Sequence, residues 1–250
     1  MAEALGLARG ALGRVWPNPA VGCVLVRDGA VVGRGATQPG GRPHAEVVAL
    51  EAARPHAEGA TAYVSLEPCA HYGRTPPCAD ALVRARVSRC VIATLDPDPR
   101  VDGKGRARLE AAGIEVELGL YGAEAREVNA GFFLRVQEGR PLVTILAAER
   151  VDALGAGHDA VLGLDPGRTG VWAEVRGTGV TPLRWWLGGE VPVGERPWRR
   201  FGCPIGAAGP DPASVLGQLG AQGLTRVVVN AGDPWSEQLR RAGLVDREQK

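Results

Sequence analysis

The sequence lacks a long uncharged apolar run, and its amino terminus lacks the basic, apolar and small-residue succession of a secretory signal. We therefore expect no membrane span, and the cytoplasm is the expected location. An excess of one charge is also missing, because 29 Lys and Arg residues offset 28 Asp and Glu residues and leave a net charge of +1. A nucleic-acid partner, which would favour a basic surface, is not expected.

Cysteine is scarce, and five is an odd number in a chain of 250 residues that is too large to need covalent cross-links. Reduced thiols or metal ligands are the expected uses of these cysteines. The length exceeds the roughly 100 to 200 residues of a typical domain and favours two domains. We place them at residues 1–140 and 141–250, with Arg140-Pro141 as the linker.

Helical and strand patterns alternate through the first domain and predict an α/β fold, a three-layer α/β/α sandwich around a mixed sheet. The predicted helices are Ala2–Leu12, Ala45–Arg54, Ala79–Ala85, Arg106–Ala112 and Glu124–Val136, and the predicted strands are Ala20–Arg27, Ala30–Arg34, Thr61–Leu66, Arg89–Leu95 and Ile114–Leu118. The second domain is predicted to be a smaller, truncated α/β domain. Its clear patterns are the strands Leu142–Ala147 and Arg226–Val229 and the helices Ala213–Leu219 and Ser236–Ala242.

One combination of residues carries the chemistry: His44 and Glu46 at the start of a predicted helix, Cys69 after a predicted strand, and Cys78 at the start of another helix. One imidazole and two thiolates are the ligands of a catalytic zinc site that keeps its fourth position for water. Glu46, two residues beyond His44, is placed to move protons without ligating the metal. We therefore predict a Zn²⁺ site made by His44, Cys69 and Cys78, with Glu46 as general acid and base.

Other interpretations exist for each of these residues. His44 alone could simply start a helix, and either cysteine alone could be a buried core thiol. The tetrapeptide Pro-His-Ala-Glu also recurs at residues 55–58. Because His56 is about 18 Å farther along a continuous helix at roughly 1.5 Å per residue, both copies cannot serve one metal, and we expect His56 to face solvent at a helix end. Cys23 and Cys90 lie in apolar strands and are expected in the core.

The His-x-Glu and Pro-Cys pattern is similar to that of the cytidine deaminase superfamily, although eight residues separate the two cysteines here instead of the common two. Three segments together closely resemble the bifunctional pyrimidine deaminase/reductases of riboflavin biosynthesis. They are residues 17–23 (PNPAVGC), 61–78 (TAYVSLEPCAHYGRTPPC) and 96–105 (DPDPRVDGKG). This resemblance covers residues 1 to about 140 and implies a cytidine-deaminase-like fold.

The resemblance further implies hydrolytic deamination of 2,5-diamino-6-(5-phosphoribosylamino)pyrimidin-4(3H)-one to 5-amino-6-(5-phosphoribosylamino)uracil. It implies substrate binding by Asn18, His71, Arg74 and Asp96, which can contact ring, ribose or phosphate. Asn18 and Asp96 could instead be turn residues, and Arg74 a solvated charge. The sequence departs from the family at two further positions, where Thr37 replaces a usual His and Asp98 a usual Asn.

In the family, the second domain is a reductase that uses NADPH. Here Leu146 replaces its lysine, residues 150–153 (RVDA) replace its Ser-Leu-Asp-Gly run with only Asp152 matching, and Ala231-Gly232 replaces a Gly pair that approaches phosphate. The family's closing strands are also expected to be missing. We therefore expect a degenerate reductase-like domain with no assigned cofactor-binding residue, and NADPH only if it is active. Trp185, Trp186, Trp198 and Trp235 could form a nucleotide cleft, but they are expected in the core of this domain or in a subunit interface.

Three other functions are compatible with part of this pattern. A cytidine or tRNA-adenosine deaminase would share the zinc chemistry, but the long loop between the cysteines and the balanced charge argue against it. A non-catalytic binding protein need not retain Glu46. The third alternative is a bifunctional enzyme in which reduction survives. The expected partner is the small phosphoribosylaminopyrimidine substrate, with no nucleic acid or membrane, and we expect a homo-oligomer.

Overall fold

The computed structural model describes residues 1–147, 157–164, 170–175, 183–188, 199–201, 205–206 and 209–249. Residues 150–153, Trp198 and the fifth cysteine, Cys203, lie outside this part of the chain. Contacts divide the chain into two compact units, Met1–Ala11 with Pro19–Phe133, and Leu12–Asn18 with Leu134–Lys250. Within the described ranges, every helix is too short or too polar to cross a membrane.

The first unit is built on a five-stranded mixed sheet. Its strands are β1 (Gly22–Arg27), β2 (Ala30–Ala36), β3 (Thr61–Val64), β4 (Arg89–Ile92) and β5 (Glu115–Leu118), in the spatial order β2-β1-β3-β4-β5. β1 runs antiparallel to β2 and β3, whereas β3, β4 and β5 are parallel. The carboxyl ends of β3 and β4 therefore meet at one edge of the sheet, where loops that follow parallel strands can meet.

Helices cover both faces of this sheet. They are α1 (Ala2–Ala11), α2 (Ala45–Ala53), α3 (Cys78–Arg84), α4 (Lys104–Ala111) and α5 (Gly122–Val128), and α6 (Ala130–Glu138) follows. A Cβ on Gly22 would meet the Ala4 carbonyl of α1, and a Cβ on Gly35 would meet the Ala45 carbonyl of α2. Since Gly35 pairs with Cys23, the neighbour of Gly22, the two glycines face opposite sides of the sheet. The predicted three-layer α/β/α sandwich is confirmed.

The single helix predicted over Glu124–Val136 is wrong, because two helices meet at Asn129. The Asn129 side chain accepts a hydrogen bond from the Ala20 N–H and donates one to the Ala20 carbonyl, each 2.9 Å long. An asparagine that bonds to backbone in this way competes with helix continuation. It also fixes the segment that leads into β1.

The second unit contains a seven-stranded mixed sheet. Its elements are β6 (Leu142–Leu146), β7 (Ala160–Leu164), β8 (Gly170–Val175), β9 (Leu183–Gly188), β10 (Arg199–Phe201), the short pair β11 (Ile205–Gly206) and β12 (Gly209–Pro210), α7 (Pro212–Ala221), β13 (Arg226–Asn230), α8 (Pro234–Arg241) and β14 (Arg247–Gln249). The spatial order is β10-β9-β8-β7-β13-β6-β14. The predicted α/β class is confirmed, although the antiparallel strands β8 and β9 were not predicted.

Tryptophans fill the core of the second unit. Trp185, Trp186 and Trp235 are each at most 2% exposed, which confirms the prediction of a core role for them. Arg140, predicted to be a linker residue, is instead held within this unit by two hydrogen bonds to the carboxylate of Asp246, 2.7 and 2.9 Å long. The same carboxylate accepts the backbone N–H of Val143 at 2.8 Å and so ties the start of β6 in place.

Candidate active site

His44, Cys69 and Cys78 converge from separate parts of the chain near the carboxyl end of β3. His44 directly precedes α2, Cys78 is the first residue of α3, and Cys69 lies in the loop between β3 and α3. Glycine at position 35 allows this arrangement, because a Cβ there would lie 2.1 Å from the Ala45 carbonyl oxygen. Without that side chain, α2 lies close against β2 and presents His44 at the sheet edge.

The three side chains form a compact cluster that fits a zinc ion. The His44 Nδ1 atom lies 3.8 Å from the Cys69 Sγ and 3.3 Å from the Cys78 Sγ, and all three ligand atoms lie within 4.8 Å of one another. Tetrahedral zinc with bonds of about 2.0 Å to nitrogen and about 2.3 Å to sulfur separates its ligand atoms by roughly 3.5 to 3.8 Å. The donor chemistry and the spacing therefore both suit Zn²⁺, with Nδ1 as the imidazole atom that faces the thiols.

Hydrogen bonds within the cluster favour the charged form of one thiol. Cys78 donates from its side chain and, at 3.3 Å, from its backbone N–H to the sulfur of Cys69, which lowers the pKa of the Cys69 thiol. The same bond raises the pKa of Cys78, and hydrogen bonding to Cys69 raises the pKa of His44. A thiolate therefore forms first at Cys69, and a cation bound to the cluster would favour ionisation of both thiols.

Glu46 lies in the first turn of α2 and is 3% exposed. Burial, followed by the negative charge of Cys69, raises the pKa of Glu46 to about 7, with His44 partly opposing the shift. A carboxyl group with such a pKa can accept and return a proton near neutral pH, which suits a general acid and base. The structure thus brings the predicted proton carrier next to the predicted metal ligands.

Glu67 is a site residue that the sequence analysis did not identify. Its buried carboxylate accepts the backbone N–H groups of Gly103 (2.9 Å), Arg106 (3.0 Å) and Asp96 (3.3 Å). Three backbone donors on one carboxylate fix the loop after β4 and the first turn of α4 against the loop that carries Cys69. A Cβ on Gly105 would lie 1.9 Å from the Pro68 carbonyl oxygen, so glycine is needed for this close approach. The signal available in the sequence was an acidic residue directly before Pro-Cys.

The loop held by Glu67 carries Asp96 and Asp98. Asp96 is 7% exposed, and burial raises its pKa to about 7. Its carboxylate accepts the Asp98 N–H at 2.8 Å, in the manner of a turn. Asp98 pairs with the Arg100 guanidinium, and this hydrogen bonding is the main reason that its pKa is lowered. Asp96 thus combines a turn contact with a buried position beside the cluster.

The remaining predicted binding residues differ in their surroundings. His71 is half-buried, and its Nδ1 atom has no hydrogen-bond partner among the described residues. Arg74 is exposed on the loop between the two cysteines. Thr37 is buried and bonds within its own surroundings, donating to the Pro19 carbonyl and accepting the Val21 N–H. Asn18 belongs to the second unit, where its N–H donates to the carbonyl of Val15, and its role in binding stays a prediction.

The second copy of the tetrapeptide is separate from this cluster. α2 ends at Ala53, so the expectation of a continuous helix reaching His56 is wrong, while the expected exposure of His56 is confirmed. A cis peptide bond precedes Pro55 in the turn that follows α2. Cys23 and Cys90 are fully buried in β1 and β4, as predicted, and neither is part of the cluster.

Comparisons with known proteins agree with this geometry. The sequence model of the cytidine and deoxycytidylate deaminase zinc-binding region matches residues 1–94. The riboflavin biosynthesis protein RibD of Aquifex aeolicus is 50% identical over 152 residues, which are 61% of this chain and 43% of that protein. For RibD of Escherichia coli, the identity is 51% and the shares are 61% and 41%. The chain thus spans less than half the length of these curated relatives.

A solved structure extends the similarity over nearly all of the chain. Acinetobacter baumannii RibD is 33% identical, with a TM-score of 0.79, and the alignment covers 98% of this chain and 83% of that one. An overall identity of 33% in an alignment that spans nearly the whole chain, together with the matched zinc-binding region, is what common descent predicts. The chain therefore belongs to the RibD family of riboflavin biosynthesis proteins.

Proposed function

We propose that this protein is a zinc-dependent deaminase that hydrolyses an exocyclic amino group of a pyrimidine in riboflavin biosynthesis. The observation that carries this proposal is the buried Glu46 carboxyl beside the cluster of His44, Cys69 and Cys78. These three residues would hold Zn²⁺, which when bound supplies an activated water molecule because the metal lowers the pKa of water to about 7.

The chain's own groups then move the protons. Hydrolysis adds water to the ring carbon that bears the amino group, breaks the carbon–nitrogen bond and releases ammonia, leaving a ring carbonyl. Glu46 takes a proton from the attacking water and delivers it to the departing nitrogen, which its pKa of about 7 permits in both directions. The second proton of the water passes to the neighbouring ring nitrogen as the ring carbonyl forms. Its burial excludes bulk water that would compete for this proton.

We propose the phosphoribosylated diaminopyrimidine, 2,5-diamino-6-(5-phosphoribosylamino)pyrimidin-4(3H)-one, as the substrate. Asp96 and His71 would form hydrogen bonds with polar groups of the ring or ribose, and Arg74 would contact the phosphate. The buried position of Asp96 supports these roles, and so does the His71 Nδ1, which has no partner among the described residues. A homo-oligomeric state stays a prediction.

Purified protein incubated with this substrate is expected to release ammonia and to accumulate 5-amino-6-(5-phosphoribosylamino)uracil. Chromatography with mass detection would identify the product, and an ammonia assay would give the rate. Cytidine, which lacks the phosphate and the second amino group, is the comparison substrate and is expected to be turned over at least about 100-fold less efficiently. Rapid deamination of cytidine alone would instead support the cytidine-deaminase alternative.

The resemblance also implies NADPH for the second unit, but the residues described there do not fit a dinucleotide phosphate. After β13, the N–H of Gly232 donates to the Asn230 side chain at 2.8 Å. At the start of α8, the Asp233 carboxylate accepts the N–H groups of Trp235 at 2.8 Å and of Leu164 at 3.2 Å. Donors that would hold an anion are thus bonded to the chain itself, and the Asp233 charge repels phosphate.

We therefore expect titration with NADPH to give no saturable binding at micromolar concentrations, measured by fluorescence or calorimetry. In the presence of NADPH, the deaminated product should accumulate unreduced, and absorbance at the NADPH band should stay constant. Steady oxidation of NADPH that depends on that product would contradict this expectation and would establish the bifunctional alternative.

A further inference from the structure

Most cationic side chains around the cluster are already neutralised. Arg100 pairs with Asp98, with an Nε to Oδ1 distance of 2.9 Å, and Arg108 pairs with Asp80, with an Nη2 to Oδ2 distance of 3.0 Å. Paired cations of this kind hold loops together and have little attraction left for a ligand anion. A site for a ligand anion therefore requires arginines that are not paired with carboxylates.

Within the described part of the chain, Arg42 and Arg74, on the two segments that lead to the metal ligands, lack such a pairing. Among the residues that the structure describes, neither guanidinium has a carboxylate within salt-bridge distance. The Arg42 Nη1 donates to the Thr75 hydroxyl at 2.8 Å, and a Cβ placed on Gly73 would lie 3.3 Å from the Arg42 Nη2. The Arg42 guanidinium therefore lies against the Gly73–Thr75 segment, which carries Arg74.

The two segments that bring Arg42 and Arg74 together both lead to ligands of the cluster. Arg42 lies two residues before the ligand His44, on the segment that leads into α2. The segment that it contacts lies between Cys69 and Cys78. Among the residues that the structure describes, the Thr75 hydroxyl is the one acceptor bonded to the Arg42 guanidinium, which leaves four of its five donors for a ligand.

We propose that Arg42 is a specificity-determining residue that binds the phosphate monoester of the substrate together with Arg74. This inference rests on the proposed deaminase function. Two uncompensated guanidinium groups on adjoining segments suit a dianionic phosphate, because each can offer a pair of parallel N–H donors to its oxygens. The contact with Thr75 keeps one of them oriented before substrate arrives, which reduces the ordering required on binding.

The test compares the phosphoribosyl substrate with the same compound after removal of its phosphate. In the wild type, we expect the phosphorylated compound to have the higher kcat/KM. The ratio of the two kcat/KM values should fall about 10- to 100-fold in Arg42→Gln, mainly through KM of the phosphorylated compound. Arg42→Lys, which restores the charge without the planar fork, should recover part of the ratio.

Arg86→Gln is the matched control, since Arg86 pairs with Glu58 at 3.2 Å on the exposed surface. The Arg86→Gln variant should have the same ratio of the two kcat/KM values and the same zinc content as the wild type. Equal losses on both compounds in Arg42→Gln, or an unchanged ratio, would overturn the phosphate assignment. A wild type that deaminates neither compound would instead refute the proposed function, so the two failures are distinguishable.

Discussion

Replacement of Glu46 by glutamine is expected to lower kcat by about 10²- to 10⁴-fold while the fold and the zinc content are retained, because general acid and base catalysis contributes roughly this factor. Glutamine has nearly the same shape, so it can fill the buried position at the start of α2. It cannot accept a proton and return it. The loss should therefore appear in kcat more than in KM, measured by steady-state kinetics on the phosphoribosylated diaminopyrimidine.

The chain supplies its own control in the second Pro-His-Ala-Glu tetrapeptide. Glu58→Gln makes the same chemical change at an exposed glutamate whose partner is Arg86. An exposed ion pair contributes about 0 to 1 kcal/mol to stability, so turnover and melting temperature should hardly change. Normal turnover by Glu46→Gln, with loss of turnover in Glu58→Gln or His56→Ala, would show that the functional copy is the second one.

The first unit could be predicted from sequence because its local patterns and its tertiary packing agree. Apolar strands such as β4 and helix starts such as that of α3 are marked by their own residues, and each predicted element in residues 1–120 is present with shifted ends. The helix break at Asn129 could not be predicted in this way. Its cause is a pair of hydrogen bonds to Ala20, which is 109 positions away in the chain.

The antiparallel strands of the second unit escaped prediction for a related reason. β8 and β9 contain glycine and tryptophan, and Trp172 pairs with Trp186 across the two strands. A Cβ on Gly163 would lie 2.3 Å from the Trp172 ring, so the glycine that weakens the strand signal is what admits the ring. Such packing depends on contacts between residues of different strands, so it produces no periodic pattern of apolar residues in the sequence.

At the candidate site, side chains with distinctive chemistry could be predicted to lie together, whereas residues that bind backbone groups could not. The chemistry of imidazole, thiol and carboxyl groups singled out the cluster and Glu46. Glu67 was missed because its partners are backbone N–H groups in a loop and in the first turn of α4, and every loop and helix start has such donors. Thr37 stands at a position where the family usually has a histidine that binds substrate, but its hydroxyl bonds to the backbone instead. It donates to the Pro19 carbonyl and accepts the Val21 N–H.

Replacement of Cys69 by serine is expected to abolish both zinc binding and activity. A serine hydroxyl, unlike a thiol, does not ionise near neutral pH, so the site would lose one anionic ligand and the partial neutralisation of Zn²⁺ that it provides. Metal analysis of the purified wild type should give about one zinc per chain, and the variant should give less than about one tenth of that. Cys78→Ser should behave in the same way, because both sulfurs face the His44 Nδ1.

The Cys90→Ala variant is the control that distinguishes the effect of losing a zinc ligand from the effect of losing any buried thiol. Cys90 is fully buried in β4 and outside the cluster, so its replacement should cost about 1 kcal/mol of stability through lost packing and should leave zinc content and kcat unchanged. Circular dichroism of all variants would establish that each is folded at the assay temperature. Zinc and activity that stay normal in Cys69→Ser, or that fall equally in Cys90→Ala, would contradict the assignment of the ligands. The specific result, loss at positions 69 and 78 with retention at 90, follows only if the metal is held by the thiols that adjoin His44.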